Sequence, residues 1–161
     1  MIIIKNDKEI DLMRIAGRIV AETLLLVEKE VRPGITTAEL DRIAEEFITK
    51  HGAKPSFKGL YGFPASLCIS VNEQVVHGIP GRYVLKEGDI VSVDCGAMID
   101  GYHGDAARTF AVGNISEEAQ KLIEITKESF FKGLEAAKVG NNLTDISNEI
   151  QKYIEASGFS V

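Results

Sequence analysis

Residues 90–112 read Ile90-Val-Ser-Val-Asp94-Cys-Gly-Ala-Met-Ile-Asp100-Gly101-Tyr-His-Gly-Asp105-Ala-Ala-Arg-Thr-Phe-Ala-Val112. Two β-rich runs flank Asp100-Gly101, a dipeptide that favours a two-residue type I′ turn because both positions tolerate positive φ. That turn predicts a register in which Ile99 pairs with Tyr102 and Asp94 stands opposite Ala107. Asp105 then lies one diagonal step from Asp94 on the same sheet face. A three-residue loop with a bulge would break this parity.

Two carboxylates on one face repel unless something positive lies between them. Hard oxygen donors suit a divalent cation, and a shared carboxylate can bridge two. The plain alternative is a pair of solvent-facing or turn-stabilising aspartates. The flanks argue against it: Ile90-Val91-Ser92-Val93 is too apolar for an edge strand in water, and an Asp ending such a run needs a partner.

Outward from the hairpin, further short β runs are expected at Ser66–Val71 and Gln74–His77, separated by Asn72-Glu73. Before them, Ile10, Met13, Gly17, Val20, Leu24, Val27 and Val31 recur at steps of three and four, an amphipathic helix opened by Asn6 and Glu9 and ended by Arg32-Pro33-Gly34. Thr36 and Glu39 open a second helix, which buries Leu40, Ile43, Ala44, Phe47 and Ile48 and stops at Gly52. After the hairpin, Ser116 caps a helix carrying Ala119, Leu122, Ile123, Phe130, Leu134 and Ala137, broken at Val139-Gly140. A last helix carries Leu143, Ile146, Ile150, Tyr153 and Ile154 and stops at Gly158. Under a shift of 106 positions Gly34 falls on Gly140, Leu40 on Ile146, Phe47 on Tyr153, Ile48 on Ile154 and Gly52 on Gly158. The pattern fits two helix-pair-plus-sheet units related by duplication. The first unit spans about 6–112, and the second has its helices at about 116–158 with no sheet after them.

The 161 residues are 45% hydrophobic and 26% charged, enough for one globular domain with a core. The net charge of -6 and the lack of any basic cluster argue against a nucleic-acid partner. Met1-Ile2-Ile3-Ile4 is too short to span a membrane or to act as an export signal. Two cysteines make no disulfide framework, and the cytoplasm is the expected compartment. Cys68 and Cys95 read as small buried hydrophobes.

His77 lies in Val75-Val76-His77-Gly78-Ile79-Pro80. It fits either a packed, hydrogen-bonded residue or an imidazole donating to a substrate amide or oxyanion. His103, two positions before Asp105, fits a ligand, an outer partner of a ligand, or a strand residue bonded to a carbonyl. His51, ending a helix, reads as a dipole contact. Tyr61-Gly62-Phe63-Pro64 fits core or the wall of an apolar pocket.

Taken together, Ser66–Pro80 and Val93–Asp105 resemble the substrate-histidine and first metal-ligand motifs of the type I methionine aminopeptidases, and the resemblance covers essentially the whole chain. It implies an α+β pita-bread (creatinase/aminopeptidase) fold: a first half with an antiparallel sheet and two helices, plus the helix pair of a second half. It also implies metal-dependent removal of the initiator methionine from peptides and nascent chains, with the ribosome as a neighbour. Asp94 would ligate one divalent metal and Asp105 would bridge two per intact site, with Co, Mn, Fe, Zn and Ni not distinguished. His77 would be catalytic, contacting the substrate beside the scissile peptide. Phe63, Cys68 and Leu60 would line the methionine pocket. The family takes three further ligands, one His and two Glu, together with another catalytic His and a general-base Glu, from a second half with no matching positions here. The 161 residues alone are therefore expected to be inactive. Ala107-Arg108-Thr109-Phe110 is similar to prolidases of the same fold, so a proline dipeptidase is one competing expectation. A non-enzymatic half-domain that dimerises through an uncovered sheet is the other.

Overall fold

The computed structural model describes residues 2–161; Met1 of the apolar N-terminal run lies outside them. Two compact units are distinguished, Met1–Ile115 and Ser116–Val161.

In the first unit, α1 (Asp7–Glu30) starts at the expected capping box. The Asn6 side chain accepts from the Glu9 N–H, and the Glu9 carboxylate accepts from the Asn6 N–H. Its buried stripe is Ala16, Ile19, Val20, Thr23, Leu24 and Val27. Ile10 and Met13, expected on that stripe, are about 40% exposed. Steps of three and four trace a 3.5-residue period, from which a straight helix drifts by roughly 20° per heptad. Over two heptads the early positions turn away from the sheet. The α2 helix (Thr37–Lys50) opens on the Thr36–Glu39 box and buries Leu40, Ala44 and Ile48 completely. Ile43 and Phe47 are only half-buried.

The sheet contains β1 (Lys54–Pro55), β2 (Leu67–Val71), β3 (Ile90–Ile99) and β4 (Tyr102–Ala111), all antiparallel. The central strand is β3: β2 and then β1 run along one side of it and β4 along the other. Central placement accounts for its apolar character. Val91, Val93, Cys95 and Ala97 are wholly buried and join Leu67, Ile69, Val71 and Phe110 in one core with the stripes of α1 and α2. Where α1 crosses β4 the backbones come very close. A Cβ added at Gly104 would stand 2.6 Å from the Ala16 carbonyl carbon.

The expected β run at Gln74–His77 is instead part of a loop. Asn72 takes a left-handed conformation (φ 53°) that turns the chain off β2. The Gln74 side chain then accepts the Val71 N–H, while the Gln74 N–H donates to the Val71 carbonyl. The strand's last backbone groups are thus satisfied locally, and Val75 and Val76 are left exposed. Alternation of apolar residues alone did not reveal this.

The second unit holds α3 (Glu117–Ala136), capped by Ser116, and α4 (Leu143–Ala156), opened by Asn142 and Asp145. Its contact face is made of small residues. Gly133 lies against Ile146 and Ile150, with Ser129 and Ala136 also buried. Leu122, Phe130 and Leu134, expected in the apolar stripe, are more than a third exposed, because the small face lets α3 and α4 approach. Shifted by 106, α2 coincides with α4 at both ends, and α1 and α3 end together. Gly34 and Gly140 both have left-handed φ (92° and 98°), as do Gly52 and Gly158 (75° and 88°).

A Gly104→Ala substitution must push backbone against backbone, so it should cost about 2 kcal/mol or more. Urea unfolding is expected to show a lowered midpoint with an unchanged slope.

Candidate metal centre

Asp100 (φ 48°) and Gly101 (φ 84°) are both left-handed, as a type I′ loop requires. Ile99 pairs with Tyr102, Asp94 with Ala107 and Gly96 with Asp105. On the face opposite the core, the pairing brings together Ser92, Asp94, Gly96 and Met98 with Thr109, Ala107, Asp105 and His103. From β2, Cys68 stands opposite Asp94 and Ser70 opposite Ser92.

Asp94 is half-buried and Asp105 is exposed. The Asp94 carboxyl is pushed up to about 6, first by burial, then by the like charge of Asp105 and a hydrogen bond between the two side chains. The charge of His77 and the Cys95 N–H pull the other way. The two side chains therefore meet, and below about pH 6 one proton sits where a cation would otherwise relieve the repulsion. This donor set fits a hard divalent ion. It is only part of a shell: among the described residues no group of three or more His, Cys, Asp or Glu is arranged to hold a metal.

His77 sits in the loop after β2, exposed and left-handed (φ 57°), within electrostatic reach of Asp94. Cys68 is buried, and its thiol is pushed up to about 11 by burial and by the charges of Asp94 and Asp105. It stays protonated at neutral pH. His103 is exposed, with Nδ1 2.9 Å from the Ser56 hydroxyl rather than bonded to a carbonyl. Leu60 begins an exposed single 3₁₀ turn, and Phe63 behind it is half-buried. His51 follows the last turn of α2, with its Nδ1 2.8 Å from the Phe47 carbonyl.

Residues not singled out from sequence also line this face. A Cβ at Gly96 would meet Ser56 and Phe57 at 2.7 and 2.8 Å, so those side chains lie directly over the strand. The Ser92 and Thr109 hydroxyls are 2.8 Å apart. Two-residue steps from Asp94 and Asp105 could have found Ser92 and Thr109. Nothing local points to Ser56, which comes from a distant loop.

A family model described as metallopeptidase family M24 matches residues 11–161. A methionine aminopeptidase of Clostridium perfringens is 76% identical over the whole chain, which spans 65% of that relative. The crystal structure of methionine aminopeptidase from Thermotoga maritima superposes with a TM-score of 0.98 at 44% identity, covering all of this chain and 65% of that one. Prolidase from Pyrococcus furiosus gives 0.87 at 26% identity, covering 97% of this chain and 45% of its own.

The folded state holds the Asp94 proton more tightly than the unfolded chain does, since its value rises from 3.8 to about 6. Its unfavourable contribution is complete above pH 6 and fades as pH falls towards 4. In EDTA, Asp94→Asn should therefore raise Tm at pH 7.5 and change it little at pH 4. A thermal-melt series on both proteins checks the difference, and an equal effect at both pH values contradicts it.

Proposed function

This chain belongs to metallopeptidase family M24, and on that premise we propose that the protein removes the N-terminal methionine from peptides by metal-dependent hydrolysis. The fold is the α+β pita-bread architecture of that family. The observation that supports the reading best is the meeting of Asp94 and Asp105 on one sheet face beside His77. Relatives 66% and 76% identical to this chain bear the name methionine aminopeptidase. Residues 116–158 are read as a second copy of the helix pair at 7–50.

Asp94 and Asp105 would hold the divalent cations, Asp105 bridging two of them. A bound divalent cation supplies Lewis acidity and lowers the pKa of water. His77 would donate a hydrogen bond near the scissile peptide as negative charge develops on its oxygen. His103, steadied by Ser56, would support the carboxylates from outside. Cys68, a neutral thiol beside Asp94, would offer a soft wall to the methionine thioether, with Phe63 and Leu60 completing the pocket. The substrates would be nascent chains, and the reaction would then take place in the cytoplasm near the ribosome.

Two carboxylates hold a cation weakly without further ligands and fixed outer partners. The 161 residues alone should release methionine from Met-Ala-Ser, with Co²⁺ or Mn²⁺, at least about a hundredfold more slowly than the Clostridium perfringens relative. Fused to the part of that relative which this chain does not span, they should turn over Met-Ala-Ser in preference to an X-Pro dipeptide. Asp94→Ala or Asp105→Ala in the fusion should abolish release. A folded, metal-loaded fusion that releases no methionine would sink the reading. The open edge of β4, which pairs only with β3 among the described residues, supports the competing idea of self-association. Light scattering that gives a dimer of these 161 residues would favour it.

A further inference from the structure

We propose that Ser70 is a positioning residue for His77, acting through a clamp on Gly78; this rests on the reading of His77 as the substrate-contacting residue. Ser70 is almost wholly buried and shares the sheet face of Cys68 and Asp94. Its hydroxyl accepts the Gly78 N–H at 3.1 Å, and the Gly78 carbonyl accepts the Ile69 N–H at 2.8 Å. Gly78 is thereby bonded at both backbone groups to consecutive residues of β2.

The fit leaves no room for a side chain. A Cβ at Gly78 would stand 2.8 Å from the Ile69 carbonyl carbon. The residue just before it, His77, has a φ of 57°, a conformation that costs a non-glycine residue about 1 kcal/mol or more and persists only where the surroundings enforce it.

Packing cannot be that enforcement. Val75, Val76 and Ile79 are 62–87% exposed. A cleft of about 300 Å³, lined in part by Ile69, Gln74, Ile79 and Arg82, lies against the same loop. Hydrogen bonds hold the loop instead. Nearest His77 is the Gly78 clamp; the Gln74–Val71 bonds lie before it and the Thr37–Gly81 bonds after it. At the base is buried Asp89, which accepts from the Asn72 amide, the Tyr83 hydroxyl and the Lys86 N–H. Asn72 in turn accepts the Ile90 N–H. The Asp89 anchor fixes where the loop departs from β2. The Ser70–Gly78 bond, one residue from His77, sets how far the imidazole stands from Asp94.

Two isosteric variants separate the hydroxyl from the volume of the side chain: Ser70→Thr keeps the acceptor and Ser70→Val removes it, with Ser70→Ala as the smaller deletion. In this chain, hydrogen exchange of the Gly78 amide should accelerate about tenfold in the Val and Ala variants, as for one lost hydrogen bond, and stay near wild type in Thr. In the methionine-releasing fusion, the same two variants should lower kcat about tenfold with KM within twofold. Placed on a His77→Ala background they should change kcat by less than twofold, because the residue they position is gone. Unchanged Gly78 exchange overturns the clamp. Equal kcat losses with and without His77 overturn the positioning role and leave Ser70 a packing residue. Accelerated exchange together with a fusion that never releases methionine sinks the proposed function and not the clamp.

Discussion

Two carboxyl groups meet on one face of a hairpin, half withdrawn from water, and they cannot both ionise there without help. Burial and the neighbouring charge hold a proton on Asp94 to about pH 6. A structure keeps such a repulsion only if the two strands are bound in place by something stronger. Here that is the other face of β3, where Val91, Val93, Cys95 and Ala97 are sealed against α1 and α2. Burial of those side chains, at about 25 cal/mol per Å² of apolar area, sets the strand's orientation. The period of two then leaves Asp94 no choice of side.

From that central strand the other parts of the site take their places. The β2 strand pairs along one edge of β3 and sets Cys68 opposite Asp94 and Ser70 opposite Ser92. The loop leaving β2 brings His77 back over the same face, held by Gly78 at one end and by Asp89 at the other. The short strand β1 and the residues after it lay Ser56 and Phe57 across Gly96, where only a glycine allows the approach. A neutral thiol and an imidazole from one stretch of chain thus meet two carboxylates from another.

Legibility from the sequence followed the range of the forces involved. The helix starts at Asn6, Thr36 and Ser116 were readable because capping acts within three residues. The hairpin register was readable because Asp100-Gly101 allows one tight turn, and parity carries its consequence ten residues outward. Even the 106-residue recurrence of helix ends was visible in glycines that stop helices. Where position depended on what packs against what, the reading failed. Ile10, Met13, Phe130 and Leu134 look like core residues and are exposed. The run at Gln74–His77 looks like a strand, but Asn72 and Gln74 satisfy the end of β2 locally and release the chain into a loop.

The sequence by itself therefore determined the helix ends, the turn, the register, and with the register the shared face of Asp94 and Asp105. Those features rest on backbone geometry and bonds between near neighbours, which residue type and spacing encode directly. Only the tertiary structure decided that His77 stands near Asp94, that Ser56 reaches His103, and that Ser70 grips Gly78. Each of these contacts joins residues whose approach is set by the stacking of helices on a sheet or by the path of a loop. No local pattern specifies such distances, because they result from the packing of the whole first unit.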